Sequence, residues 1–230
     1  MLRRLHRKPC AGPLIGRCCA CGRRLAVQFA AFCPPPLGTA RHHPRTAHVP
    51  LSFDSVARTA RFSRCRAYRT ALGRRWTPER TALGFVALNP STADHRADDP
   101  TVRRMMGFAK REAAGGIVLV NLYAFRATRP VDLWQESHPV GPSTDRVLRE
   151  VLADCRSVVA CWGAIPRPAW PRARQVLRRL DRWGLRVWAL GLTRDGHPRH
   201  PLYLPRDQPL VRWSAECRGG IYSSGGRTAG

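Results

Sequence analysis

The chain has 230 residues, of which 40 are Lys or Arg and 15 are Asp or Glu, so its formal net charge is +25. Its hydrophobic fraction of 43% argues against disorder throughout, and the lack of any apolar run near ~18 residues excludes an integral membrane protein. Because so basic a chain attracts polyanions, we expect nucleic acid, DNA first, or a nucleotide as its partner. Its nine cysteines do not read as a disulfide framework in a chain of this size, which favours a cytoplasmic location.

The first 55 residues are basic, rich in Cys and Pro, and show no sustained helix or strand period. A metal-binding knuckle on the Cys18-x-x-Cys21 pair and an Arg-rich targeting segment are two interpretations of this region. No second pair follows at zinc spacing, so we expect residues 1–55 to be a disordered extension without metal, or the product of a gene start placed too early. The Gly- and Ser-rich residues 214–230 are predicted to form a disordered tail, which leaves 56–213 as one domain.

This domain alternates short apolar runs, typical of buried strands, with amphipathic segments typical of helices. Residues 61–80 are predicted to add an outer strand or hairpin. The predicted strands are 84–88, 117–122, 157–161 and 186–190. The predicted helices begin at the caps Asp99 and Ser143 and at Pro171, and end near residues 114, 153 and 184. The β-α-β-α-β-α-β order predicts an α/β fold, a three-layer sandwich with a central four-stranded parallel sheet.

Polar and aromatic residues follow the predicted strands at the point where each one ends. Asn89 follows the first strand, Asn121 lies at the end of the second, and Trp162 follows the third. The fourth leads to His197 and His200, each followed by Pro. Ligands of open parallel sheets bind beyond the carboxyl ends of the strands, so we expect these residues to line one site. No G-x-G-x-x-G, P-loop or G-x-S-x-G motif is present, which disfavours dinucleotide, NTPase and serine-hydrolase functions.

Three segments carry a family resemblance. LNPSTADHRADDPTVRR, VNLYAFRATRP and GLTRDGHPRHPLYLP, in that order, closely resemble the domain-of-unknown-function family 1643 over residues 61–213. A more distant resemblance is to the uracil-DNA glycosylase superfamily, which has the same sandwich. ALNP at 87–90 is similar to its G-x-N-P motif, and VNLYAFRATRP is similar to its T-N-x-x-K-C-R-P-P stretch. GHPRHPLYL is similar to its H-P-S motif, although the serine is replaced here.

The resemblance to the glycosylases implies a role for each strand-end residue. Asn89 would position the hydrolytic water, and Asn121 would read the edge of an extruded base. His197 or His200 would donate to the negative charge on the departing base. Further candidates for contact with the base are Tyr123, Phe125, Trp162, Ser91 and Thr92. Candidates for contact with phosphates are Arg126, Arg129, Arg194 and Arg199.

The function expected from these residues is hydrolysis of an N-glycosidic bond in nucleic acid or a nucleotide, with no cofactor. Two alternatives stay open at this point. One is a non-catalytic module that binds nucleic acid or a nucleotide on the same fold. The other is an enzyme that acts on a free nucleoside-like small molecule. The choice of base and the oligomeric state are open in all three.

Overall fold

The computed structural model describes residues 15–17, 24–25, 56–155 and 157–213. The chain divides into two compact units, Met1–Ser55 and Val56–Gly230. In the first unit, strand β1 (Ile15–Arg17) pairs with strand β2 (Arg24–Leu25) in an antiparallel ladder. The rest of the predicted extension, with its cysteine pair, and the whole predicted tail lie outside the described residues.

Within its described residues, the second unit is built on a seven-stranded mixed sheet. The strands are β3 (Ala57–Phe62), β4 (Arg69–Arg75), β5 (Ala82–Ala87), β6 (Gly116–Asn121), β7 (Ser157–Ala160), β8 (Arg186–Ala189) and β9 (Val211–Arg212). The helices are α1 (Pro100–Arg111), α2 (Pro130–Gln135), α3 (Thr144–Leu152) and α4 (Trp170–Arg182). The order across the sheet is β3-β4-β6-β5-β7-β8-β9. Strands β5 to β8 run parallel to one another, whereas β3, β4 and β9 are antiparallel to their neighbours.

The predicted α/β class is confirmed, but the sheet is larger than the four parallel strands that the sequence predicts. The outer hairpin is formed by β3 and β4 and begins at Ala57, before the predicted start at residue 61. The other addition, β9, consists of Val211 and Arg212, which are both exposed. Because an exposed strand of this length has no apolar pattern, the sequence gives no signal for it.

Alternate residues of the central strands pack against helices on opposite faces of the sheet. Phe85 lies in a buried cluster with Met105 of α1. Its neighbour Val86 lies in a second cluster with Leu148 of α3 and Leu177 of α4. Since successive strand residues point to opposite faces, the continuous apolar runs supply both clusters. None of the described helices is both long enough and apolar enough to cross a bilayer.

The two predicted side-chain caps have different outcomes. Asp99 caps α1 as predicted, because its Oδ1 accepts a hydrogen bond from the backbone N of Val102 at 2.8 Å. Ser143 occupies the N-cap position of α3 as predicted, but its φ is 61° and its side chain makes no capping bond. A residue whose side chain caps a helix typically has extended backbone, which Ser143 in its left-handed conformation lacks. The hydroxyl of Thr144 instead donates to the carbonyl of Val140.

Candidate functional site

The loops after β5 and β6 are joined at the carboxyl edge of the sheet. The two strands pair in register up to Ala87 and Asn121. Beyond this pair, the backbone N of Leu122 donates to the carbonyl of Ala87 at 2.9 Å, and that of Tyr123 donates to the carbonyl of Leu88 at 3.0 Å. These bonds continue the ladder past the strand ends and hold the two asparagine-bearing segments side by side.

A cavity of about 350 Å³ opens at this edge, which we call the carboxyl-edge cavity. Five of the residues predicted from the sequence to form the site line it: Asn89, Ser91, Asn121, Trp162 and His200. They come from β6 and from the segments that follow β5, β7 and β8, as expected for the ends of parallel strands. The wall also includes Arg69, Asp99, Met105, Thr128 and Gly163.

A second cavity, of about 550 Å³, lies at the opposite ends of the parallel strands, where β5 and β7 begin. Its wall includes Leu83 near the start of β5, Ala114 after α1, and Ser157 at the start of β7. Among the described residues, none of the buried side-chain atoms that lack a hydrogen bond belongs to this wall. The carboxyl-edge cavity has two such side chains, Asn121 and Arg69, and is therefore the candidate site.

Asn121 is the most informative residue of the site. Its side chain is buried, with the residue only 2% exposed, and it lines the cavity. Neither its Oδ1 nor its Nδ2 has a hydrogen-bond partner among the described residues. A buried polar group without a partner costs about 1–3 kcal/mol, so this amide does not serve fold stability. Because an amide offers a donor and an acceptor together, it can pair with the edge of a nucleobase.

Asn89 is held in one orientation. Its Nδ2 donates to the carbonyl of Ala127 at 2.7 Å and to the carbonyl of Pro90 at 3.1 Å. Since carbonyls only accept, these contacts identify which end of the amide is the nitrogen. The Oδ1 makes no hydrogen bond with the described residues and is left to accept one from a group in the cavity. The sequence contains two asparagines, and both line this cavity.

His200 presents a neutral ring to the cavity. Its Nδ1 accepts from the backbone N of Leu202 at 3.4 Å, at the start of the short 3-10 turn Pro201–Tyr203. The neutral ring therefore carries its proton on Nε2. Burial lowers the pKa of His200 below its ordinary value, against the opposing charge of Asp99. Gly163, with φ of 75°, lies against this histidine: a Cβ at Gly163 would be 3.4 Å from the Cβ of His200.

Arg69 is a site residue that no sequence pattern predicts. It is 2% exposed and lines the cavity, although it starts β4, outside the parallel strands. Its Nη1 donates to the carbonyl of Ala93 at 2.5 Å, and its Nε has no partner among the described residues. Burial lowers the pKa of Arg69 to about 10, with the charge of Asp99 opposing the shift. Arg69 is one of 40 basic residues, and nothing in the sequence distinguishes it from a surface arginine.

The structure does not bring His197 to the cavity wall. The residue is 3% exposed, and its ring centroid lies 5.7 Å from that of Trp170. Its backbone N donates to the Oγ1 of Thr193 at 3.0 Å. Of the two candidate histidines, His200 is therefore the one that can touch a ligand in this cavity.

The two aromatic residues after β6 also lie away from the cavity wall. The ring of Tyr123 packs edge-on against Trp134 with centroids 5.5 Å apart. The ring of Phe125 packs against Tyr68 with centroids 5.7 Å apart. Thr92 is exposed and is not part of the wall either. Trp162, which is 2% exposed, is thus the aromatic residue among the sequence candidates that borders the cavity.

The four arginines predicted to bind phosphates do not line the cavity. Arg126 lies over the ring of Phe62, 5.2 Å from its centroid. Arg129 forms an ion pair of 2.6 Å with Asp132, and this hydrogen bond raises the pKa of Arg129. The other two, Arg194 and Arg199, are exposed on the segment that leads to the site histidine.

Fold and site together define an α/β domain with a polar cavity at the carboxyl edge of its sheet. The family model described as "Protein of unknown function (DUF1643)" matches residues 69–202, and the chain belongs to this family. The match begins at Arg69 and ends just beyond His200, so it contains the whole cavity wall described above. No curated protein and no solved structure matches the chain.

Proposed function

We propose that this domain binds a nucleobase in the carboxyl-edge cavity and hydrolyses the N-glycosidic bond that joins the base to its sugar. The buried amide of Asn121, without a partner among the described residues, is the observation that carries the proposal. The chain order of the parallel strands and their helices fits the sandwich of the uracil-DNA glycosylase superfamily, which the three sequence motifs resemble. The net charge of +25 favours a polyanionic substrate.

Asn121 is suited to select the base. A base that enters the cavity gives the amide both the acceptor and the donor that it lacks within the described protein. Sites built around a buried polar group reject analogues without the matching edge by as much as ~10⁴-fold, because the group is then left unpaired. The buried ring of Trp162 supplies apolar wall beside it.

Asn89 is suited to position the water. Its Nδ2 donates to two backbone carbonyls, which fixes the orientation of the amide. The Oδ1 therefore accepts a hydrogen bond from a water and holds that water in place, and it does not act as a base. The C–N bond breaks with its electron pair on the base, and the water oxygen bonds to the positively charged sugar carbon. A proton from this water ends on the base. His200, through its Nε2–H, donates a hydrogen bond to the base while it carries negative charge.

The test is a base-release assay with the full chain. Labelled single- and double-stranded oligonucleotides carry uracil, hypoxanthine, a G·T mismatch or alkylated bases, and alkali reveals abasic sites. We expect release of at least one base and a fall of about 100-fold or more in Asn121→Ala and in His200→Gln. The matched control is His197→Gln, a buried histidine off the cavity, which should retain release. Full activity of Asn121→Ala, or no release by folded wild type, contradicts the proposal.

A free nucleoside is the second candidate substrate. None of the four arginines expected to bind phosphates lines the cavity, and its volume of about 350 Å³ suits a small ligand. The same assay therefore includes free nucleosides, with the released base detected by chromatography. Cleavage of nucleosides but not of oligonucleotides would assign the small-molecule function. Binding of oligonucleotides without release of any base would assign the non-catalytic module.

A further inference from the structure

Arg69 adds a positive charge to the wall that holds Asn121. It comes from the first residue of β4, the antiparallel neighbour of β6, and it is 2% exposed. The structure gives it no ion pair among the described residues, and its Nε has no hydrogen-bond partner there. Burying an unpaired charge costs several kcal/mol. Fold stability therefore does not explain why Arg69 is buried at this position.

Arg74, on the same strand, shows how a structural arginine is satisfied in this fold. It is 1% exposed, its Nε pairs with the carboxylate of Asp98 at 2.6 Å, and its Nη2 donates to the carbonyl of Asp94 at 2.5 Å. Its Nη1 donates to the carbonyl of Gly73 at 2.7 Å. Arg74 does not line the cavity. Both arginines lie on β4 and are buried. They differ in one respect: all three nitrogens of Arg74 have partners, whereas Nε of Arg69 has none among the described residues and can donate to a ligand.

We propose that Arg69 stabilises the negative charge on the departing base, an inference that rests on the hydrolysis proposed above. When the C–N bond breaks, its electron pair goes to the base and spreads onto a conjugated exocyclic oxygen. The guanidinium of Arg69 binds that oxygen until a proton from the attacking water neutralises the base. The substrate class is a base with an exocyclic carbonyl oxygen conjugated to the glycosidic nitrogen. His200 contributes a neutral hydrogen bond beside this charge.

A leaving-group series tests this role on the full chain. Oligonucleotides carry uracil or 5-fluorouracil, and fluorine makes the departing base a weaker base that depends less on stabilisation. Arg69→Gln should slow release of uracil by about 100-fold and release of 5-fluorouracil by a clearly smaller factor. Arg69→Lys keeps the charge and should fall between wild type and Arg69→Gln. In the control Arg74→Gln, any loss of activity should be equal for the two bases.

Equilibrium binding of the free bases separates this inference from the proposed hydrolysis. At about pH 9, more 5-fluorouracil than uracil is anionic, because fluorine withdraws electrons and makes the ring N–H more acidic. Arg69, with its pKa of about 10, is still charged at this pH. Wild type should bind 5-fluorouracil more tightly than uracil, and Arg69→Gln should lose this preference. Anion preference without any base release overturns the hydrolysis and keeps the anion site. Release that Arg69→Gln slows equally for both bases overturns the role of Arg69 and keeps the hydrolysis. If neither base release nor a preference for the anionic base is observed, both the hydrolysis and the role of Arg69 are overturned.

Discussion

The two asparagines of the cavity should respond differently to the same substitution. Asn89→Ala removes two hydrogen bonds to backbone carbonyls, of 2.7 and 3.1 Å. At about 1 kcal/mol each, their loss lowers the free energy of unfolding by about 2 kcal/mol. Asn121→Ala removes no hydrogen bond to the described protein, and its side chain borders a cavity. Removing this unpartnered amide relieves a cost of about 1–3 kcal/mol, which offsets the packing that the side chain loses, so the free energy of unfolding should not fall below that of wild type.

Thermal unfolding followed by circular dichroism measures this difference. For a domain of this size, 1 kcal/mol shifts Tm by about 2–4 °C, so Asn89→Ala should melt about 4–8 °C below wild type. Asn121→Ala should melt at or above the Tm of wild type while it loses base release. An equal fall in Tm for both variants would refute the reasoning, because Asn121 would then have a structural partner and no amide reserved for a ligand.

Three further predictions concern the surroundings of the cavity. Asp98→Asn breaks the ion pairs with buried Arg74 and with Arg58 and should lower the free energy of unfolding in urea by about 3 kcal/mol, mostly through the buried pair. Asp132→Asn, in an exposed pair of the same length, should change nothing measurable. Because burial lowers the pKa of His200, stability is lost as pH falls below the unfolded value of about 6.5. His200→Gln should flatten part of this fall in Tm, and an unchanged slope would contradict the shift. Gly163→Ala forces alanine to φ of 75°, which should lower the free energy of unfolding by about 1–2 kcal/mol; wild-type melting would contradict this.

Local patterns were sufficient to predict the central sheet and the helices that cover it. The runs that end at Ala87, Asn121 and Ala160 are apolar and short, as buried parallel strands require. Helix α2 was not predicted, because it has six residues and Leu133 is its single buried apolar residue, whereas Val131 and Trp134 are 48% and 39% exposed. Such a helix has no buried stripe, and periodicity cannot detect it.

The candidate site was predictable only where it follows from strand ends. Because β5 and β6 are parallel neighbours, their carboxyl ends place Asn89 and Asn121 on the same side of the sheet, independently of the other elements. Arg69 reaches the same edge through the antiparallel pairing of β4 with β6, which no local pattern encodes. The choice between His197 and His200 depends on how their loop folds over β7 and β8, which the sequence alone does not determine.

The most direct measurement is nuclear magnetic resonance of the full chain labelled with ¹⁵N in asparagine. The chain has two asparagines, so two pairs of side-chain N–H signals appear, one pair from each amide, and the variants Asn89→Ala and Asn121→Ala assign them. Titration with free uracil and hypoxanthine should move the Asn121 signal and slow its hydrogen exchange, because the amide gains partners. The Asn89 amide, already held by two carbonyls, should move less. If the Asn121 signal does not respond to either base, Asn121 does not read a base edge and the proposed function is wrong.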